Sequence, residues 1–217
     1  MKVLALDIST TTTGFAVMDS KLKLIEYGQF SIKDRTLSDT MYAFSIEKKV
    51  IKLAVKYKLS DTIIEDVYCG KNVKSLKTWC RVHGGVGVAW YKKYKKEPVF
   101  IMAMVARKQI GIKGNAKKIE IQLEISKLYN LAKKAYCAQC DAKFKTLVKN
   151  KATEYARIEK EIKKKSEQKI AKKKANGKFN YQVNKLSVLF EKETNGVSEH
   201  VCDAIVLAIA YFKTLQK

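Results

Sequence analysis

Three separated stretches of this 217-residue chain set acids, or a histidine, against apolar sequence. They are Asp7 within Val3–Ile8, Glu65 within Thr62–Tyr68, and Glu199, His200 and Asp203 where the last apolar segment begins. A carboxylate among apolar neighbours is costly to bury unless it is paired or binds a metal. Two strand ends meeting a helix start could bring the three stretches together. His200 and Asp203 are three residues apart and share one helical face. Oxygen ligands with one imidazole suit Mg²⁺ or Mn²⁺, ions that activate water and stabilise charge on a phosphodiester. Taken singly, each acid has a plainer role: Asp7 as a strand-end cap or lysine partner, Glu199 as a first-turn acid favoured by the helix macrodipole. The combination is what suggests a centre.

The elements that must position these residues follow from hydrophobic spacing. Val3–Ile8 and Gly14–Met18 are compact apolar runs separated by the turn-favouring Ser9–Thr13, and Leu22–Ile32 completes an antiparallel meander. Leu37, Met41, Phe44, Ile51 and Val55 fall near one helical face, with Ser38 and Asp39 at its start. Thr62–Tyr68 reads as a short buried strand, Asn72–Tyr94 as a helix carrying Gly84, Gly85 and Gly87, and Val99–Val105 as a further strand after Pro98. Three strands, helix, strand, helix, strand is the order of an α/β protein with one mixed five-stranded sheet flanked by helices. Lys117–Lys134 is expected to be helical and Glu199–Thr214 to be a buried terminal helix, while Asn180–Phe190 has no clear class. From about Cys137 to Lys178 the chain turns to Lys and Glu, with KKK at both 163–165 and 172–174, as in a charged helical or disordered arm.

Lys and Arg number 44 against 21 Asp and Glu, a net charge of +23 and a pI near 9.7. So basic a balance calls for a polyanionic partner, yet 47% hydrophobic residues provide a core that a disordered basic tail lacks. The longest apolar run, Ala204–Phe212, falls far short of the roughly 20 residues that span a bilayer, so no membrane partner is expected. Five cysteines without a secretory leader read as reduced thiols, and a soluble, cytoplasmic protein is expected. Cys137 and Cys140 form one CxxC; zinc would require ligands from Cys69, Cys80, Cys202, a histidine or a second copy, and two incidental thiols is the simpler reading. His83 is expected on a helix surface.

Four segments in order carry a resemblance. VLALDISTTTTGFAV at 3–17 has an acid on the first strand, then a tight turn and Gly. IIEDVYCGKNVKSLKTWCRVHGGVGVA at 63–89 has Glu65, an aromatic three residues later, then KN and a Gly-containing helix. ARKQIGIKGNAKKIEIQ at 106–122 is a basic segment after the fifth strand, and EHVCDAIVLAIA at 199–210 a closing helix. Together they resemble the RuvC-type Holliday junction resolvases of the ribonuclease H-like superfamily, over nearly the whole chain except about 137–190. The lysine-rich insertion departs from bacterial members and suggests a bacteriophage or other viral or mobile-element version, working in the host cytoplasm without a host branch-migration partner.

The resemblance implies a ribonuclease H-like fold over 1–217 as a single domain, with the basic insertion at about 137–190. It implies metal ligands at Asp7, Glu65, His200 and Asp203, and Lys118 as a catalytic basic residue near the scissile phosphate. Two Mg²⁺ ions per site are expected, with Mn²⁺ able to substitute. The implied protein is a homodimer that nicks opposing strands of a four-way junction, and by extension of forks and other branched DNA, leaving 5′-phosphates. Tyr68 would stack in the opened junction while Lys71, Asn72, Lys74, Lys77 and Arg81 track phosphates. Arg107, Lys108, Lys113, Asn115 and Lys117, around Gly114, would form a phosphate cradle at a helix start.

Three other readings compete. A non-catalytic, architectural DNA-binding protein on the same fold predicts a lost ligand, whereas all four are present. A phosphotransferase of the actin and sugar-kinase type, suggested by DISTTTTG, needs two lobes and a second phosphate motif. An RNA:DNA hybrid nuclease is less well matched by the 68–81 segment and by HVCDA.

Overall fold

The computed structural model describes residues 1–32, 34, 36–67, 73–132, 134–162, 164–194 and 197–216, apart from the side chains of 134–136. These residues form two compact units, one of Met1–Ala116 with His200–Lys217 and the other of Lys117–Glu199.

The first unit is built on β1 (Lys2–Ile8), β2 (Thr12–Asp19), β3 (Leu24–Ser31), β4 (Asp61–Glu65) and β5 (Val99–Ile101), in the order β3-β2-β1-β4-β5. β1–β2 and β2–β3 are antiparallel, while β4 joins β1 and β5 joins β4 in parallel. The mixed five-stranded sheet expected from the sequence is therefore present. Parallel pairing needs a crossover, and α1 (Asp39–Tyr57) and α2 (Val73–Tyr94) supply the two. Ser38 caps α1 by accepting the Met41 N–H at 3.3 Å.

Strand alternation divides the sheet into two apolar faces. Leu4, Leu6, Ile8, Phe15, Val17 and Ile64 pack with Ile46 and Val50 of α1 and Val86 and Trp90 of α2. Gly85 makes this contact close, since a Cβ there would lie 2.9 Å from the Ala43 Cβ. The opposite parity, Val3, Ala5 and Ile63, is equally buried. Asp7 and Glu65 belong to that parity. α7 (Glu199–Leu215) is buried continuously from Val201 to Phe212, as its apolar sequence indicated.

Three features of this unit differ from the sequence reading. Met41, Phe44 and Val55, expected on one packed face of α1, are exposed, and the buried face is instead Tyr42, Ala43, Ile46, Val50 and Ala54. The strand expected over 99–105 stops at Ile101, and Ala103–Gln109 forms the short helix α3. Apolar residues at 99–105 suit either state, and Met102 begins the helix with no side-chain cap to mark it. His83 is buried rather than exposed. Its spacing with Trp79, Val86 and Trp90 places it on the packed stripe of α2.

The second unit contains α4 (Lys118–Tyr129), α5 (Lys134–Glu161) and α6 (Lys165–Glu193). The basic arm is thus helical, and 180–190 belongs to α6. Buried Phe179, Val183, Leu186 and Phe190 recur at intervals of four, three and four along α6, facing a seam on α5. The two helices are antiparallel: Lys151 donates to Asn176 at 2.8 Å, and Lys172 pairs with Glu159 nearer the tip. At its other end the unit holds a satisfied buried polar network. Ser187 donates to the Gln122 Oε1 at 2.7 Å, and Gln122 donates to the Val197 carbonyl at 3.1 Å.

Among the described residues, no helix is long and apolar enough to cross a membrane.

Candidate functional site

The turn after β1 is locked by its own sequence. Ser9 accepts the Thr12 N–H at 3.0 Å and donates its hydroxyl to the Thr12 carbonyl at 2.7 Å. Tyr42, from α1, donates to the Ser9 carbonyl at 2.9 Å. This fixes the end of β1, where Asp7 lies directly opposite Gly14. A Cβ at Gly14 would come within 2.2 Å of the His200 carbonyl group. The absent side chain is what admits the start of α7 beside Asp7.

Asp7 and Glu65 end neighbouring parallel strands, one residue beyond the Leu6–Ile64 register pair. Asp203 enters from the second turn of α7. One carboxylate oxygen from each of Asp7, Glu65 and Asp203 lies within 4.8 Å of the others. His200 Nδ1 is 2.6 Å from the Asp7 Oδ2. All four residues named as ligands from sequence therefore meet at one end of the sheet, three as a carboxylate cluster and His200 through Asp7.

The electrostatics of this cluster are those of crowded acids. Burial first, then the charges of Asp7 and Asp203 and a hydrogen bond with Asp7, push the Glu65 carboxyl up to about 9. Arg107 supplies a partial counter-charge. Its Nη2 reaches both Asp203 oxygens at 2.9 Å, its Nε reaches Oδ1 at 3.1 Å, and its Nη1 donates to the Gly114 carbonyl at 3.4 Å. Once all three carboxylates are ionised, as binding a cation requires, the Arg107 guanidinium alone does not balance their charge. A hard divalent cation, bound by oxygen ligands, fits that deficit and that donor set.

The remaining residues named from sequence are distributed as follows. Tyr68, Lys71 and Asn72 lie outside the described residues. Lys74, Lys77 and Arg81 are exposed along α2, with Arg81 paired to Asp39 at 2.7 Å. Lys108, Lys113 and Asn115 are exposed. Arg107, expected on a phosphate-binding surface, is instead committed to Asp203, because the carboxylate cluster attracts the nearest guanidinium. A Cβ at Gly114 would meet Met104 at 2.5 Å, and the Lys117 N–H at the head of α4 is taken by Glu120 at 2.6 Å. Lys118, within the second unit, pairs with Glu199.

Three residues have roles here that the sequence reading did not assign to them. Arg107 as the partner of Asp203 had no local signal, because the two are 96 residues apart. Tyr42 is not among the residues that the spacing places on the face of α1, because that reading took Met41 and Phe44 instead. His83 is buried with neither ring nitrogen hydrogen-bonded and feels the charges of Asp7 and Asp66; its place on the Trp79–Trp90 stripe was the available signal. Cys137 and Cys140 are buried free thiols one turn apart on α5. Among the described residues, the metal-ligating side chains that gather in a group of three are Asp7, Glu65 and Asp203.

Comparison with protein families matches residues 3–143 to the crossover junction endodeoxyribonuclease RuvC. A search of curated proteins finds no match. Among solved structures, that of Thermus thermophilus RuvC aligns with a TM-score of 0.51 at 15% identity, covering 60% of this chain and 81% of that one. T. thermophilus RuvC in complex with a Holliday junction substrate aligns with a TM-score of 0.50 at 14% identity, covering 60% and 79%. This likeness establishes the ribonuclease H-like fold of the sheet and its flanking helices.

Proposed function

Because the chain belongs to the RuvC family of crossover junction endodeoxyribonucleases, we propose that it resolves four-way DNA junctions by paired, metal-dependent nicks. The observation that carries this reading is the gathering of Asp7, Glu65 and Asp203 within 4.8 Å, with His200 against Asp7, inside a strongly basic protein. Carboxylates gathered this closely and largely buried repel one another and are costly to bury, a cost that a bound divalent cation offsets.

Asp7, Glu65, Asp203 and His200 would hold divalent cations, Mg²⁺ or Mn²⁺. When bound, these supply activation of a water and stabilisation of the departing oxygen. The protein's own groups do the rest. Gly14 keeps the Asp7–His200 pair in place, and the hydrogen bond at Nδ1 orients the imidazole. Arg107 restrains Asp203 through a bidentate contact. Lys74 and Lys77 on α2 are oriented to solvent and suit contacts with the phosphate backbone. Tyr68 fits the stacking role that an opened branch point requires, and Lys118 supplies positive charge beside Glu199. Hydrolysis breaks the bond between phosphorus and the 3′-oxygen, leaving a 3′-hydroxyl and a 5′-phosphate. Two opposed nicks require two sites, so the protein acts as a homodimer.

The test is cleavage of an immobile four-way junction beside a matched linear duplex and a fork, each with Mg²⁺, Mn²⁺ or EDTA. Symmetric paired nicks in the junction, abolished by EDTA and by Asp7→Asn while junction binding persists, are the expected result. Equal cutting of the fork would make the protein a general debranching nuclease. Tight junction binding without cleavage in either metal would favour an architectural role.

A further inference from the structure

The α5–α6 hairpin carries a surface that the nuclease reading leaves unused. The family match ends at residue 143, so most of the hairpin lies beyond it. Between the opening turns of α5 and the closing turns of α6 runs an open groove of about 680 Å³. Leu147, Leu186 and Leu189 give it an apolar floor, and Lys143, Tyr181 and Lys185 stand along it. No carboxylate is among its described lining residues. Tyr181 is 71% exposed, the most exposed of the large hydrophobic side chains among the described residues. Lys174, Lys178, Tyr181 and Lys185 fall on one stripe of α6 at intervals of four, three and four. The hairpin's ion pairs engage Lys145, Arg157, Lys164 and Lys172, and Lys143 and Lys185 take part in none of them.

We propose that this groove binds an unpaired stretch of DNA strand, with a base stacked on Tyr181 and flanking phosphates on Lys143 and Lys185. The inference rests on the nucleic-acid reading of the chain and extends it to a second contact surface, built from residues other than those of the metal cluster. Charge complementarity selects a polyanion, since the groove offers cations and neutral groups alone. The apolar floor and the exposed ring select one whose flat apolar faces are uncovered. Duplex DNA keeps its base faces stacked and would engage the lysines while leaving Tyr181 and the leucines unused. Branched DNA offers unpaired nucleotides near its crossover, and a stretch of that kind is what such a groove would hold.

The experiment is fluorescence anisotropy in EDTA, where no cleavage can occur, using the full chain with labelled oligothymidine and with a blunt duplex of equal length. Tyr181→Ala should weaken oligothymidine binding about tenfold, as loss of one stacked base does, with little change for duplex. Tyr181→Phe should bind like the wild type. Lys143→Gln with Lys185→Gln should reduce the salt slope for the single strand by about 0.7 for each lysine. Ultraviolet crosslinking of an iododeoxyuridine oligonucleotide to the wild-type protein should label the peptide containing Tyr181, a readout that needs no variant. Unchanged single-strand binding by Tyr181→Ala, an equal loss for duplex, or absence of that crosslink would overturn the proposal. So would a smaller sedimenting species for Tyr181→Ala, which would give the groove to a second copy of the chain. A wild-type protein that cuts no junction in Mg²⁺ or Mn²⁺ would defeat the nuclease reading and leave these binding results standing.

Discussion

Two residues determine whether the carboxylate cluster forms and what it holds. Gly14 faces Asp7 across the sheet, and a methyl group there would collide with the backbone of His200 at 2.2 Å. Backbone cannot swing aside as a side-chain tip can, so Gly14→Ala should displace the start of α7 and separate His200 from Asp7. Nicking should fall by at least tenfold, with a thermal midpoint lowered by the strain of overpacking, about 1–3 kcal/mol. Wild-type activity and midpoint in Gly14→Ala would show that the approach is not required. Glu65 reports the need for a cation. Its carboxyl is raised from 4.5 to about 9, chiefly by burial and then by Asp7 and Asp203. Between those values the metal-free folded state holds a proton that the unfolded chain has released, so this contribution to stability is full below 4.5 and fades as pH rises towards 9. A divalent cation must displace that proton, so the rise in melting temperature caused by Mn²⁺ should grow with pH across the same window. Glu65→Gln should abolish both the rise and its pH dependence, and a pH-independent metal effect in the wild type would contradict the assignment.

At the scale of elements, α2 brings the sheet core and the site into contact through His83. Burial lowers its imidazole from 6.5 to about 4, against the opposing pull of Asp7 and Asp66. The folded state therefore favours the neutral ring. The stability this contributes is complete above 6.5 and is lost as pH falls from 6.5 through about 4, amounting to about 3 kcal/mol. Denaturant melts across that range should show a slope for the wild type that is missing from His83→Gln. Glu65 titrates in both proteins, so it cancels in the comparison. Equal slopes would mean that His83 is solvated. The stripe formed by Trp79, His83, Val86 and Trp90 was legible as periodicity, yet a lone histidine between Val82 and Gly84 does not reveal which side of the helix meets the core. Other elements were legible for physical reasons that can be named. Asp7, Glu65 and Asp203 each stand in or directly beside a short apolar stretch of β1, β4 and α7, so an acid against apolar sequence drew attention to both the element and its functional residue. The break between β5 and α3 was not legible, because Val99–Val105 is apolar throughout and no capping side chain marks Met102. Residues 180–190 were ambiguous because α6 is a long helix whose buried seam occupies few positions. The Arg107–Asp203 contact joins residues 96 apart, which periodicity cannot detect.

At the scale of the whole molecule, the distribution of charge separates affinity from chemistry. The tip of the hairpin, residues 152–175, carries nine basic and four acidic side chains. Of the large apolar residues there, Ile158 is the one that is buried. Lys151 and Asn176 touch at 2.8 Å, so the helices lie side by side where the tip begins. Replacing 152–175 by a short Gly-Ser turn would therefore close the hairpin without opening its seam, and would lower the net charge from +23 to +18. The groove beside Tyr181 and all residues of the carboxylate cluster remain in such a protein. Counterion release makes DNA affinity depend on the number of phosphates neutralised, with a slope against salt of roughly 0.9 per phosphate on duplex DNA. The trimmed protein should bind junctions and duplex more weakly and with a shallower salt slope. At saturating protein it should nick a bound junction at the wild-type rate, because the tip supplies no group to the cluster. The preference for oligothymidine over duplex conferred by Tyr181 should persist. An unchanged slope would show the tip lysines to be solvated and idle. A slower nick at saturation would show instead that the arm positions the junction for cutting, and that the charge of the molecule serves chemistry as well as capture.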